Sequence, residues 1–308
     1  MKGSKMTKIL NFGSLNVDYV YHVDHFVAPG ETIASSARDV NCGGKGLNQS
    51  VALASCGAEV YHAGKIGSDG SMLTALLNKA GVDTSLVGIS DGPSGHAIIQ
   101  VDKNGQNSII LFPGANHEIN TPMISKVMEN FGKGDFVVLQ NEISGIAEIM
   151  KLAAAKGMKI IFNPSPITPE ILTYPLELVS LFVVNEIEAA AVSGTDDFGS
   201  MPAALKQKYP NAEFLITFGT NGAVFVSGDR LVKYGIHKAP VADTTAAGDT
   251  MLGFFTGLTS KGYEPEAALK LATKASAVTV SRKGAAPSIP TLKEAEECSY
   301  PYKEFTLF

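Results

Sequence analysis

The sequence predicts a three-layer α/β fold in which helices cover both faces of a mostly parallel central sheet. Short apolar segments bounded by Gly, Asp or Asn alternate with longer amphipathic segments along most of the chain. Two inserted segments break this alternation and predict a small antiparallel sheet that stands off the main body as a lid. No repeat, low-complexity tract or proline-rich linker divides the 308 residues, so we expect a single domain over 1–308.

The predicted strands are short and rich in β-branched or aromatic residues, as the buried strands of parallel sheets are. They span residues 8–13, 59–64, 135–140, 158–163, 181–185 and 213–219. Helical apolar spacing occurs at 45–56, 69–80, 121–131, 145–156, 186–193 and 201–208, followed by two further helices at about 247–260 and 265–281. This strand–helix alternation predicts parallel strands joined by crossover helices.

The inserted segments lie at about 15–42 and 95–112. The first contains a Pro29-Gly30 turn, and in the second Asn104-Gly105 sits between alternating apolar residues, which is a strong hairpin signal. Insertions of this length commonly act as a lid or an oligomer contact, although a surface hairpin without a role is the alternative.

Composition argues against several functional classes. The net charge is −5 and no basic stripe occurs, which disfavours a nucleic-acid partner. The sequence contains no run of about 18 apolar residues, so no membrane span is predicted. Three scattered cysteines, Cys42, Cys56 and Cys298, fit neither a disulfide framework nor a zinc site, so we expect a reducing cytoplasm. Met6 is a second candidate start, which would make residues 1–5 an added tail.

A glycine-rich segment, NCGGKGLNQSVALASCG, follows the first insertion and opens a helix. Its glycines would let the backbone approach a ligand, with Asn48 on the first helical turn. The spacing matches neither a P-loop nor a dinucleotide fingerprint. Lys45 is either a phosphate clamp or a solvated turn residue, and spacing alone leaves both open.

Polar side chains stand where predicted strands end, the edge at which open α/β sheets bind ligands. Asn16 and Asp18 follow the first strand, and a plain turn residue is the alternative for Asp18. Asn185 and Glu188 follow another strand with the N-x-x-E spacing of a capping box, which local evidence favours. The same pair could hold a hydrated Mg²⁺, since that ion takes few protein ligands.

A glycine turn lies within ITFGTNGAVFV and contains Gly219 and Gly222. Thr217 and Thr220 either bond a nucleotide phosphate or shape this hairpin-like turn. Taken by itself, the spacing favours the turn.

The most informative stretch is VADTTAAGDTMLGFF at 241–255. Ala246, Ala247 and Gly248 carry almost no side chain, so their N–H groups and the helix dipole can form an anion hole. Asp249 sits at the edge of that hole. The dipole favours an acid there whatever its role, but the small-residue run is needed only if a ligand approaches the backbone. These features suit phosphoryl transfer, in which amides stabilise charge and a carboxylate takes the proton of the acceptor hydroxyl.

Five motifs occur in one order: GSLNVD, GGKGLNQ, NEIE, TFGTNG and DTTAAGD. This order resembles the ribokinase family of carbohydrate and nucleoside kinases from about residue 8 to about residue 290, with PGET, PGAN and SRKGAAPSIP as further matches. The resemblance implies a ribokinase-like fold, a lid sheet that often dimerises, ATP as donor and Mg²⁺. It implies D-ribose as the acceptor at its 5-hydroxyl, with deoxyribose, a ketohexose or a nucleoside as alternatives. A sugar-binding regulatory protein without catalysis is the alternative from another class.

The resemblance also implies roles for individual residues. Asp249 is the general base, and Ala246, Ala247 and Gly248 form the anion hole. The sugar-binding residues are Asn16, Asp18, Gly44, Lys45, Gly46, Asn48, Glu142 and Asp249. The ATP-binding residues are Asn185, Thr217, Gly219, Thr220, Gly222, Gly248 and Thr273, with Asn185 and Glu188 near Mg²⁺ through water. A monovalent cation, for which we expect K⁺, is matched by Asp243, Thr245, Thr279, Arg282, Gly284 and Ser288.

Three positions depart from the family pattern. Leu47 replaces a small residue, His96 stands on the second lid hairpin where an aliphatic residue is commoner, and Thr273 falls where a histidine often lies near the adenine. Because Leu47 and His96 lie close to the expected sugar pocket, the chemistry is better determined than the sugar. His22 and His25 are predicted to be surface residues, since no third ligand is spaced to make a metal site.

Overall fold

A nine-stranded sheet forms the middle layer of the molecule in the computed structural model, which describes residues 7–307. The strands are β1 (Lys8–Phe12), β2 (Asn16–His22), β3 (Ala37–Gly43), β4 (Glu59–Ile66), β5 (Asp83–Ile89), β6 (Gly95–Val101), β7 (Asn107–Phe112), β8 (Phe136–Gln140), β9 (Lys159–Asn163), β10 (Leu181–Asn185), β11 (Glu213–Thr217), β12 (Ala223–Ser227), β13 (Arg230–Tyr234), β14 (Ile236–His237) and β15 (Tyr302–Lys303). The helices are α1 (Lys45–Ser55), α2 (Ser71–Lys79), α3 (Thr121–Met128), α4 (Ile146–Ala155), α5 (Glu186–Ser193), α6 (Met201–Lys208), α7 (Ala247–Ser260), α8 (Pro265–Val280) and α9 (Leu292–Glu296). The candidate start at Met6 lies outside the described residues.

The central sheet has the strand order β13-β12-β11-β10-β9-β8-β1-β4-β5. Neighbours from β11 to β5 are parallel, and β12 with β13 adds an antiparallel hairpin at one edge. The mostly parallel three-layer fold is therefore confirmed, and the six predicted strands form within two residues of their expected ends. β5, β12 and β13 have no counterpart among the six predicted strands. β5 and β13 lie at the sheet edges, where strands keep polar residues that hide the apolar signal.

All eight predicted helices form, with small differences at their ends. The helix expected over 121–131 stops at Met128, because the Asn130 side chain donates to the carbonyl oxygens of Lys126 and Val127. No helix among residues 7–307 combines the length and the apolar character needed to cross a bilayer.

Each face of the central sheet packs against its own set of helices. In β1, the fully buried Ile9 joins the core under α1, α2, α7 and α8, and its neighbour Leu10 joins the core under α3 to α6. Adjacent strand residues point to opposite faces, so one strand supplies both cores. The close pairing of α1 with α7 on the first face positions the site described below.

The two inserted segments form a second sheet with the order β3-β2-β6-β7. Each segment makes one antiparallel pair, and a parallel pairing of β2 with β6 joins the two pairs. Four partly exposed apolar residues, which we call the lid apolar face, lie on one side of this sheet: Val40, Ile98, Ile110 and Phe112. Asn16 and Asp18 alternate with these rows and therefore face the other side.

Candidate active site

A cavity of about 240 Å³ opens where the carboxyl ends of β9, β10 and β11 meet the N-terminus of α7. This end of an open α/β sheet is where such folds bind ligands. Its lining includes Lys45, Asn185, Glu188, Thr217, Ala246, Ala247, Gly248 and Asp249. The structure thus brings together the glycine-rich loop, the N-x-x-E segment, the threonine turn and the small-residue run.

The N-terminus of α7 is built on a strained turn. Ala246 has a left-handed backbone with φ of 62°, and it is the one non-glycine residue with positive φ in the stretch 7–307. This conformation costs an alanine about 1 kcal/mol. The Ala247 N–H donates to the carbonyl oxygen of Thr244 at 3.3 Å, so this amide of the predicted anion hole is engaged in the structure. Gly248 lines the cavity, and its N–H belongs to the first helical turn, where amides have no partner within the helix.

Asp249 is buried, with 8% of its surface exposed, and both carboxylate oxygens accept hydrogen bonds from α1. Asn48 Nδ2 donates to Oδ2 at 3.1 Å, and Gln49 Nε2 donates to Oδ1 at 2.9 Å. Asn48 Oδ1 is buried and has no hydrogen-bond donor among the described residues. An unmatched buried acceptor is costly, so this atom suits a ligand hydroxyl.

The glycine-rich loop needs its glycines because it passes very close to β2 and to the end of β1. A Cβ at Gly43 would lie 2.0 Å from Oδ2 of Asp18, and one at Gly46 would lie 2.3 Å from the backbone nitrogen of Ser14. Gly44 has φ of +95°, a conformation that side chains rarely adopt. The loop therefore holds Asp18 against the start of α1.

Two buried carboxylates stand beside this loop. Burial and the charge of Glu142 raise the pKa of Asp18 to about 6. Burial also raises the pKa of Glu142, although its carboxylate accepts hydrogen bonds from the Ser14 hydroxyl and from the Lys45 backbone N–H at 3.0 Å. Asp18 and Glu142 thus form a pair of buried carboxylates beside the glycine-rich loop, each with a raised pKa.

Lys45 lies among three carboxylates rather than in solvent. Burial on its own would lower the pKa of Lys45, but the charges of Asp249, Glu142 and Glu188 outweigh it and raise that pKa. Its ammonium group therefore stays charged and offsets part of the negative charge. The alternative of a solvated turn lysine is not supported, because Lys45 also lines the cavity.

Asn185 and Glu188 form the capping box that their spacing predicts. Asn185 Oδ1 accepts from the backbone N–H groups of Ile187 at 2.9 Å and Glu188 at 2.8 Å. In return, Glu188 Oε2 accepts from the backbone N–H of Asn185 at 3.1 Å. The Asn185 oxygen is thus used by the helix and cannot ligate a metal directly. Glu188 Oε1 accepts from Asn185 Nδ2 at 3.1 Å and keeps one lone pair at the cavity wall, which fits a hydrated Mg²⁺ bound through water. Within residues 7–307, no three His, Cys, Asp or Glu side chains form a metal cluster.

The threonine turn follows β11 at the cavity edge. Gly222 has φ of +112°, and a Cβ there would lie 2.2 Å from the carbonyl oxygen of Tyr234, so the turn packs against the end of β13. Lys303 Nζ donates to the carbonyl oxygen of Thr220 at 3.1 Å, which ties the C-terminal segment to this turn. Thr217 lines the cavity, whereas Gly219, Thr220 and Gly222 lie outside its lining.

Thr273 does not offer a ligand group. It is buried in α8, and its hydroxyl donates to the carbonyl oxygens of Leu269 at 2.8 Å and Lys270 at 3.0 Å. It is also absent from the cavity lining. The Thr273 hydroxyl is therefore engaged within α8, and a contact between Thr273 and ATP stays a prediction.

Asp243 fastens the loop before α7 to the segment after α8. Its Oδ1 accepts from the backbone N and the hydroxyl of Thr245 at 2.9 and 2.6 Å, and its Oδ2 accepts from Gly284 N at 3.0 Å. Burial by itself would raise the pKa of Asp243, but these hydrogen bonds outweigh it and hold the pKa below its usual range.

The other predicted cation residues are engaged nearby. The hydroxyl of Thr279 pairs with that of Thr250 at 3.0 Å, and Ser288 donates to Ala285 O at 2.7 Å. Arg282 pairs with Glu294 at 2.5 Å, so its side chain faces a carboxylate.

Four buried or half-buried amide side chains next to the cavity were not predicted: Asn11, Gln49, Gln140 and Asn163. Gln49 Nε2 lies 3.4 Å from Asn163 Oδ1, and Asn163 Nδ2 donates to Glu188 Oε2 at 3.1 Å. Gln140 and Asn163 are the last residues of β8 and β9, so a polar residue ending an apolar strand was the available signal.

Comparison with known proteins gives consistent matches. Residues 6–292 match the profile described as pfkB family carbohydrate kinase. A ribokinase of Haemophilus influenzae is 35% identical over 298 residues, which cover 92% of this chain and 96% of that protein. The solved structure of Arabidopsis thaliana ribokinase complexed with ribose and ATP is 28% identical, with a TM-score of 0.85 and coverage of 96% and 99% of the two chains. Cryptococcus neoformans ribokinase in complex with ADP is 30% identical, with a TM-score of 0.84 and coverage of 94% and 99%.

Proposed function

The chain belongs to the pfkB family of carbohydrate kinases, and we propose that it transfers a phosphoryl group from ATP to the 5-hydroxyl of D-ribose. The observation that carries this proposal is the Asp249 carboxylate, which two side-chain amides hold at the N-terminus of α7. The related Arabidopsis structure, which holds ribose and ATP, supports both substrates.

Asp249 acts as the general base in this proposal. Asn48 and Gln49 occupy one position on each carboxylate oxygen, which leaves the remaining lone pairs for the acceptor hydroxyl. The hydroxyl oxygen bonds to the γ-phosphorus of ATP, the bond from that phosphorus to the bridging oxygen breaks so that ADP leaves, and the hydroxyl proton passes to Asp249. Because the transition state of phosphoryl transfer is loose, this proton moves late and a carboxylate of ordinary basicity suffices.

The start of α7 stabilises the negative charge of the transferred group. The N–H groups of Ala246 and Gly248 and the helix dipole are fixed before reaction, so they need no rearrangement when charge develops. Mg²⁺ bound between Glu188, Asn185 and the nucleotide through water would neutralise part of the phosphate charge. The amide of Ala247, bonded to Thr244 in this structure, contributes only if that long contact opens.

The proposed sugar-binding residues are Asn16, Asp18, Gly44, Lys45, Gly46, Asn48 and Glu142, with Asp249 at the reacting end. Carboxylates and amides accept from hydroxyl groups, and the unmatched Asn48 Oδ1 is one acceptor ready for that role. Several carboxylates with one lysine favour a neutral polyol over an anionic substrate, since like charges repel.

ATP is proposed to lie along the threonine turn, with contacts from Asn185, Thr217, Gly219, Thr220, Gly222 and Gly248. The cavity beside Thr217 and Gly248 would then take the terminal phosphates. We also propose that K⁺ binds oxygen atoms of Asp243, Thr245, Thr279, Arg282, Gly284 and Ser288, for the most part backbone carbonyls. There it would order the loop that precedes Asp249 without touching the sugar.

The lid apolar face suits a contact between two copies of the chain. Phe112 and Ile110 lie two positions apart on β7, and they are 47% and 63% exposed although both are apolar. We propose a homodimer through this face, acting in the cytoplasm without a nucleic-acid or membrane partner.

A coupled ADP-release assay over pentoses, hexoses and nucleosides tests the activity. We expect D-ribose to give the highest kcat/KM, with phosphorus NMR placing the phosphate on C5. A higher value for deoxyribose, a ketohexose or a nucleoside would assign another substrate to the same chemistry. Ribose binding without ADP release for any compound would indicate a regulatory protein instead.

A further inference from the structure

The Gln49 amide beside Asp249 belongs to a continuous buried chain of hydrogen bonds, and the other members of this chain have no role in the mechanism above. We propose that Gln49 is a positioning residue, which fixes the Asp249 carboxylate through its amide nitrogen and is itself fixed by a chain that ends at His62. This inference rests on the proposed function, in which Asp249 is the general base.

Gln49 acts on Asp249 rather than on a ligand. Its side chain is fully buried, it is absent from the lining of the cavity, and its Nε2 lies 2.9 Å from Asp249 Oδ1. Asn48, by contrast, keeps an unmatched oxygen that a ligand can use. The two neighbouring amides therefore have different roles, although both hold the same carboxylate.

Gln140 determines which end of the Gln49 amide faces Asp249. Gln140 Nε2 donates to Gln49 Oε1 at 2.7 Å and to Asn11 Oδ1 at 2.9 Å. With its oxygen accepting from Gln140, the Gln49 amide presents its nitrogen to the carboxylate. A reversed amide would place an oxygen against the carboxylate oxygen and would repel it.

His62 gives the whole chain its direction. Burial lowers the pKa of His62 to about 4, so the ring is neutral at physiological pH. Its Nε2 lies 3.2 Å from the carbonyl oxygen of Gly13, which can only accept, so Nε2 carries the proton. Nδ1 then accepts from the Ser50 hydroxyl at 2.8 Å, and Ser50 Oγ accepts from Asn11 Nδ2 at 2.8 Å.

Each link of the chain thus has only one arrangement of donors and acceptors. It runs from His62 through Ser50, Asn11 and Gln140 to Gln49, and it ends on the base. Every side-chain donor in this chain has an acceptor, while Gln140 Oε1 is buried and has no donor among the described residues. A connected buried network of donors rigidifies the groups it joins. The Asp249 carboxylate is consequently held in one orientation before the sugar arrives, which favours catalysis through preorganisation.

The test compares Gln49→Met and Gln49→Glu with the wild-type enzyme, using ribose and ATP. Gln49→Met removes the donor, and we expect kcat to fall at least about tenfold while the KM for ribose stays within about threefold. Gln49→Glu adds a carboxylate beside Asp249. The charges of Lys45 and Glu142 also act on Asp249. We expect the acid limb of its kcat/KM profile to move to higher pH by about one unit.

Gln140→Met is the second variant, because it acts one contact further from Asp249 and frees the Gln49 amide to reverse. We expect a smaller loss of kcat with the ribose KM unchanged. Partial misfolding would also lower the apparent kcat without changing the ribose KM, so kcat is expressed per folded active site. The shifted pH profile of Gln49→Glu does not depend on the folded fraction and separates the two explanations. If the Gln49 variants do not fold, Gln140→Met decides the question.

Thr256→Val is the matched control. Thr256 is equally buried, lies in the same helix as Asp249, and its hydroxyl has no partner among the described residues, so kcat should be unchanged. The inference is overturned if both Gln49 variants keep the wild-type kcat and an unshifted pH profile. It is also overturned if the ribose KM rises by the same factor as kcat falls. The proposed function fails separately, if wild-type enzyme does not phosphorylate ribose or Asp249→Asn remains active.

Discussion

Gly253 in α7 lies so close to Ala52 in α1 that a Cβ on the glycine would sit 2.3 Å from the Cβ of the alanine. One turn earlier on the same helices, Asn48 donates to Asp249, and one turn later a Cβ at Gly257 would sit 2.3 Å from Sγ of Cys56. The helices therefore run parallel and in close contact along residues spaced by four. The packing at Gly253 sets the distance at which α1 reaches the proposed base.

Gly253→Ala should push α1 away from α7. We expect the free energy of unfolding to fall by about 1–3 kcal/mol, because the added methyl group overlaps Ala52. Turnover should fall as well, since the contacts of Asp249 lengthen. Urea unfolding and steady-state kinetics measure both effects. Gly132→Ala is the control, because no heavy atom lies within 4 Å of its Cβ position, and an equal loss in both variants would contradict this account.

Asp249→Asn should fold normally and lose most turnover. An amide cannot accept the hydroxyl proton, and general-base catalysis typically contributes about 10²–10⁴-fold. We expect kcat for ribose to fall within that range, while the unfolding temperature stays near that of the wild type. A variant that keeps more than about a tenth of wild-type kcat would remove Asp249 from the role of base.

Asp18→Asn should stabilise the protein at alkaline pH and weaken sugar binding. The pKa of Asp18 is raised to about 6 in the folded chain, so between about pH 4 and pH 6 the folded state binds more protons than the unfolded state. The wild type therefore loses stability as pH rises through this window, and the neutral amide avoids that loss. Urea unfolding at pH 5 and pH 8 should show the larger gain at pH 8, on the order of 2 kcal/mol. Equal gains at both pH values would argue against a buried, ionising Asp18.

Replacement of KCl by choline chloride should lower kcat if K⁺ orders the loop before Asp249. Asp243→Ala removes the bonds to Thr245 and Gly284, so this variant should be slow in both buffers and respond little to KCl. Coupled kinetics over a KCl titration measure the response. Wild-type activity that is equal in K⁺-free buffer and in KCl would exclude activation by this ion.

Ile110→Lys should convert the proposed homodimer to monomers. Ile110 is 63% exposed on β7, the edge strand of the lid apolar face, and a charge there cannot be buried without a partner. Analytical ultracentrifugation should show the mass of two chains for the wild type and of one chain for the variant. Leu172→Lys, at a similarly exposed position outside the lid, should not change the mass. A monomeric wild type would show that this face has another use.

The sequence determined the layers of the fold and the positions of most site motifs. Apolar periodicity predicted six strands and eight helices, because burial requires that pattern wherever an element packs on a core. The N-x-x-E spacing predicted the capping box at Asn185, and the small-residue run predicted the helix start at Ala247. These are local relations, since each depends on residues a few positions apart.

Which distant residues meet depends on how the helices and strands pack in three dimensions. Gln49 and Asp249 are 200 positions apart, and no spacing rule joins them until α1 and α7 pack together. The same holds for Gln140 and Asn11, whose amides meet because β8 and β1 are neighbours in the sheet. The sequence by itself therefore gave the elements and the chemical groups of this site. Packing of the helices on the sheet gave their mutual distances, because side-chain contacts across layers depend on the three-dimensional path of the chain.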